Sequence, residues 1–159
     1  MKLKLTLIIF LFTLTFIYSQ KKISGNYIYK TECMGIEHDG SLTLKTWGNG
    51  RNRADAVEQA KKNAVRDVIF QSILEGKQDC LKKPLITEVN AEEKYEDYFN
   101  KFFSDGGQYL NFITLKAERI GEQIRRDRRK ARESVTNGLL VSVLRSELKS
   151  KLIADGIIK

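Results

Sequence analysis

The sequence predicts an α+β fold, a two-layer sandwich in which a small, mostly antiparallel sheet is packed by an alanine-rich helix and a C-terminal helix. Three stretches carry this. Residues 41–47 (SLTLKTW) alternate, with Leu42, Leu44 and Thr46 on one side and Thr43, Lys45 and Trp47 on the other. That is the period of a half-buried strand. Ala56, Val57, Ala60, Ala64, Val68 and Ile73 then recur at helical spacing, and the small alanines let such a helix lie close on a sheet. Residues 139–144 (LLVSVL) are almost continuously apolar, as in a central strand covered on both faces. Helices laid on a sheet are the simplest solution for elements in that order.

Taken in order, the chain opens with Lys2 and Lys4, an apolar run over residues 5–17 broken only by threonines, and then Tyr18-Ser19-Gln20. This is the layout of a cleavable secretory signal over residues 1–19; the run is shorter than the roughly 20 residues of a membrane span. What remains is about 140 residues, the size of one domain. Residues 20–40 read as an N-terminal extension in which Tyr27 and Tyr29 alternate with polar neighbours and His38-Asp39-Gly40 marks a turn. Residues 41–159 read as a single α+β domain. Within it, Gly48-Asn49-Gly50 reads as a strand-to-helix turn and Asn52 as the cap of the alanine-rich helix, whose outer face carries Lys61, Lys62, Arg66 and Asp67. Gly76 is its expected stop.

Residues 80–89 form a loop around Pro84, the single proline. Asn90 then opens an aromatic helical insert, about 90–107, with Glu93 placed for a capping box. Its Tyr95, Tyr98, Phe99, Phe102 and Phe103 recur at the spacing of a buried stripe. A strand is expected over 112–120, a turn at Asn137-Gly138, and a last helix capped by Ser146 with Leu148, Leu152 and Ile153 on its buried side.

The sequence offers little for catalysis. Its single histidine, His38, falls in a turn, with no second ligand at metal-binding spacing. The Trp47 to Arg51 stretch lacks the Gly-Lys-Ser/Thr ending of a phosphate loop. The carboxylate pairs Glu92-Glu93 and Glu96-Asp97 read as a solvated face. No enzyme, cofactor or metal is therefore expected; a hydrolase would have to use His38. Two cysteines, Cys33 and Cys80, survive loss of the signal. An oxidising compartment permits a bridge between them, and the sequence alone leaves paired and separate thiols both open.

The candidate binding segment is basic. Arg125, Arg126, Arg128, Arg129, Lys130 and Arg132 put six cations in eight positions. Such a cluster can meet a polyanion or an acidic protein surface, or it can simply keep a hairpin edge from pairing. The net charge is +8. For an exported chain this directs attention to anionic lipid, glycan or envelope proteins, and away from nucleic acid.

Two segments carry a resemblance: TWGNGRNRADAVEQAKKNAVRDVI (46–69) and GLLVSVLRSELKSKLIADG (138–156). A glycine turn leading into an alanine-rich helix, and later a strand running through Arg into a helix with paired leucines, resemble the N-terminal domain of the flagellar-assembly protein T and the small outer-membrane lipoproteins related to it. The chain departs from the lipoproteins in lacking a lipid-attachment cysteine and in carrying the aromatic insert. The resemblance implies an exported, non-enzymatic envelope domain that works as a structural or protein-interaction module, with no catalytic residues to carry over. A binding protein for an anionic ligand or polysaccharide is the alternative expectation.

Overall fold

A computed structural model describes residues 30–80, 83–116 and 135–158. The signal segment 1–19, the tyrosines at 27 and 29 and the basic segment 125–132 lie outside the described residues. Among the described residues, five strands form one sheet in the order β3-β1-β2-β5-β4. They are β1 (Glu32–Ile36), β2 (Leu42–Gly50), β3 (Glu75–Gly76), β4 (Ile113–Leu115) and β5 (Val135–Val143). All neighbours are antiparallel except β1 and β3, which run parallel. Four helices accompany the sheet among the described residues: α1 (Arg53–Phe70), α2 (Ala91–Lys94), α3 (Glu96–Phe102) and α4 (Arg145–Ala154). The fold is α+β. None of the described helices is long and apolar enough to cross a membrane.

β1 lies within the stretch expected to be an N-terminal extension. Its pairing with β2 makes residues from 32 onward part of the sheet. The two strands join through the predicted turn: the Gly40 N–H donates to the Glu37 carbonyl at 2.9 Å, and the Asp39 carboxylate accepts from both the N–H and the hydroxyl of Ser41.

β2 and β5 pair over nine residues each, from Leu42 with Val143 to Gly50 with Val135. Alternation then sorts their side chains. Leu42, Leu44, Thr46 and Gly48 share one face with Val143, Val141, Leu139 and Asn137, and α1 lies across it. The Thr46 hydroxyl donates to the Ala60 carbonyl at 3.2 Å, and Ala56, Ala60 and Ala64 are fully buried. Contact is so close that a Cβ on Gly48 would stand 2.2 Å from both the Ala56 carbonyl oxygen and the Ala60 nitrogen. Gly48-Asn49-Gly50 is therefore not the expected turn but the end of β2, where Gly48 and Gly50 carry no side chain and so let the helix approach. Asn52 caps α1 as anticipated, its side chain accepting from the Asp55 N–H at 2.9 Å.

Asn137-Gly138, expected to turn the chain, sits inside β5 instead. Gly138 pairs with Trp47, and a Cβ there would fall 2.6 Å from the indole ring. Asn137 is buried under the start of α1 and donates to the Arg53 carbonyl at 3.3 Å.

The aromatic insert packs into the core. Phe99, Phe102, Tyr109 and Phe112 are buried, and Phe99 meets Phe70 of α1 edge-on at 4.7 Å. The insert is two short helices broken at Tyr95, not one. Asn90 takes a left-handed conformation (φ 63°) and makes no side-chain cap bond, so the capping box with Glu93 does not form. The strand expected over 112–120 begins after a 3-10 turn (Gln108–Phe112) and pairs with β5 over residues 113–115. At the C-terminal end, α4 starts from Leu144, and Ser146 is its second residue instead of its cap. Leu148 and Leu152 are buried there, whereas Ile153 is exposed.

Replacing Gly48 by Ala forces α1 away from β2, and overpacking of this kind costs about 1–3 kcal/mol. Urea unfolding should show the G48A midpoint well below that of the parent protein, with an unchanged slope.

Candidate functional site

Helix α1 ends at Phe70 because Gln71 turns extended while its N–H still donates to the Asp67 carbonyl. The chain then returns along β1. Ile73 is buried as an anchor, and β3 pairs with β1 through Glu75 and Gly76. Gly76 is a strand residue and not the predicted helix stop. Its φ is +109°, and a Cβ would lie 2.0 Å from the Cys33 carbonyl oxygen, so only glycine permits this approach. Lys77 then donates to the same carbonyl at 2.9 Å, and Cys80 reaches Cys33 with a Cα–Cα distance of 6.2 Å. The two cysteines form a disulfide, both buried.

This return leaves a cleft of about 470 Å³ between the second half of α1 and the β1–β3 edge. Asn63 and Asp67, one helical turn apart, face it from α1 and Gln71 from the residue that ends the helix; Lys30 and Thr31 face it from just before β1, and Ser72, Leu74 and Glu75 from the return. Asp67 is half-buried, and its Oδ2 accepts from the Thr31 hydroxyl. Burial pushes its carboxyl above the ordinary range, partly offset by the Thr31 hydrogen bond and the charge of Arg66. Asn63 is held in one orientation, its amide donating to the Trp47 carbonyl at 2.8 Å and its oxygen accepting from Gln59 at 2.8 Å. At the rim, Lys30 and Glu75 pair at 3.6 Å.

A second polar cluster occupies the sheet face opposite α1. Glu37 Oε1 accepts from the Thr43 and Ser142 hydroxyls at 2.6 and 3.2 Å and pairs with Lys116. Hydrogen bonds from Lys116 and Thr43 hold its carboxyl below the usual value. One side chain thus ties the β1–β2 turn to β5 and to the residue after β4.

Arg125, Arg126, Arg128, Arg129, Lys130 and Arg132 lie outside the described residues, so the cleft and the Glu37 cluster are built without reference to them. His38 is exposed in its turn. Glu92 pairs with Arg66 at 2.7 Å on the surface. Among the described residues, no group of three or more His, Cys, Asp or Glu side chains is placed to hold a metal ion. Asp67 was expected on the outer face of its helix. The available signal was the polar i, i+4 row of Asn63, Asp67 and Gln71, but only the return of β3 turns that row into a cleft wall. No family model, curated protein or solved structure matches the chain.

Two outcomes follow for stability. The bridge closes a loop across 47 positions. Replacing Cys33 and Cys80 together by Ala should therefore lower unfolding free energy by about 2–4 kcal/mol, read by urea titration. A reductant should shift the parent by a similar amount and leave the double variant unmoved. For Glu37 the folded carboxyl titrates below its ordinary 4.5, so its stabilising contribution is present at neutral pH and is lost as pH falls through the folded value. Glu37→Gln should thus melt below the parent at neutral pH, the gap closing in strong acid; a gap constant across the titration would contradict this.

Proposed function

We propose that the chain is an exported, non-enzymatic domain of the cell envelope that acts as a structural or protein-interaction module. The buried Cys33–Cys80 bridge is the observation that carries this reading. Disulfides of this kind persist in oxidising compartments and are rare where the cytosol keeps thiols reduced. The three-zone layout of residues 1–19 supplies the route of export. The resemblance to flagellar-assembly protein T and its lipoprotein relatives supports the assembly role. Its two segments cover the second half of β2 with nearly all of α1, and most of β5 with α4, and both segments contribute to the one core. Envelope proteins are the partners this reading calls for, and the basic residues 125–132 are the contact it assigns.

Mild crosslinking in the native envelope, beside a variant with residues 125–132 reversed in charge, tests the proposal. A defined set of envelope proteins should be recovered with the parent chain and lost with the variant. Recovered protein should begin near Gln20 and resist thiol alkylation. If neither sample captures a protein, the module reading fails and an anionic glycan or lipid becomes the better search. Full-length chain with free thiols in the cytosol would remove the export step itself.

A further inference from the structure

We propose that the cleft between α1 and the β1–β3 edge binds an alkylammonium or guanidinium group, held by the Asp67 carboxylate with its aliphatic stem along Leu74. This inference is independent of export. The volume of about 470 Å³ lies within the range of small-molecule sites.

The carboxylate has acceptor capacity to spare. Two carboxylate oxygens offer about four lone-pair sites, and Thr31 is the one hydrogen-bond donor to the Asp67 carboxylate among the described residues. The neighbouring guanidinium of Arg66 is turned to Glu92 at 2.7 Å. Lys30 at the rim is paired with Glu75. A half-buried carboxylate with so few donors is costly to keep charged, and a cation entering the cleft relieves that cost.

Charge selects against the other ligand classes. The cleft lining holds one lysine against two carboxylates, in a chain whose net charge is +8. An anion would meet Asp67 and Glu75; a neutral ligand would leave Asp67 as it is. Leu74 is 69 % exposed and sits beside the buried Ile73, a wall suited to the methylenes of a long cationic side chain. The shared chemistry is a cation on an aliphatic stem, carried either by a free amine or by a lysine or arginine of a polypeptide.

The test is titration of the folded mature chain with n-pentylammonium, n-pentylguanidinium, neutral n-pentanol and doubly blocked lysine, followed by amide chemical shifts. The cations should saturably shift Thr31, Asn63, Gln71 and Ser72, and n-pentanol should not. Asp67→Asn keeps an acceptor for Thr31 but removes the charge, and should weaken cation binding about tenfold or more. Ser72→Lys, at an exposed rim position, tethers a competing ammonium and should weaken it as well without touching the core. Binding of blocked lysine at least as tight as that of n-pentylammonium assigns the site to a polypeptide side chain; binding of the free amine alone assigns it to a small amine. Equal shifts from n-pentanol, or cation affinity unchanged in both variants, would overturn the proposal.

Discussion

The closeness of α1 to β2 is the constraint on which the rest of the structure depends. Thr46 hydrogen-bonds to the helix backbone and Gly48 leaves no side chain between the two layers, while Ala56, Ala60 and Ala64 present almost none from the other side. A helix brought this near can bury its full inner face on β2 and β5 at once. The aromatic residues of the insert then pack beside it, and Leu148 and Leu152 of α4 join the same core. If any of the small residues were large, the layers would part and each later contact would shift with them.

A second closure depends on the first. With α1 in place, the chain leaving its end has one short way back to the sheet, and it takes it along β1. Gly76 permits backbone contact with Cys33, and the bridge to Cys80 secures it. The return strand is only two residues long, too few to hold by pairing alone, so the disulfide and the buried Ile73 hold it instead. The cleft is a consequence of this arrangement. It lies between the second half of α1 and the β1–β3 edge, and it is lined by whatever the helix presents there, which includes a carboxylate.

The opposite sheet face follows different physics. Thr43, Lys45, Ser142 and Thr114 alternate outward, and the Glu37 carboxylate gathers hydroxyls and an ammonium from separate strands. Long-range polar links of this type rigidify a sheet where a buried strand residue carries a hydroxyl, as at Ser142. Strand β5, read as a central strand covered on both sides, lies between β2 and β4 and is buried on both faces: Val141 and Val143 point toward the helix, and Gly138 and Ser142 are buried on the opposite side.

Much of the fold was legible in local sequence. The alternation of residues 41–47, the alanine spacing of α1, the Asn52 cap, the Asp-Gly turn and the α+β class each depend on periods and caps that act over a few residues. Tertiary structure decided what depends on partners distant in sequence. Glycine marks a turn when judged from its neighbours, yet Gly48 and Gly138 are strand residues because a helix and an indole ring lie against them. Asn90 and Ser146 are good cap residues that do not cap, since the surrounding packing sets where each helix begins. Cys33 and Cys80 could be paired only once β3 brought them together, and Asp67, polar on a helix surface in any local reading, faces a cleft only because the chain comes back past it.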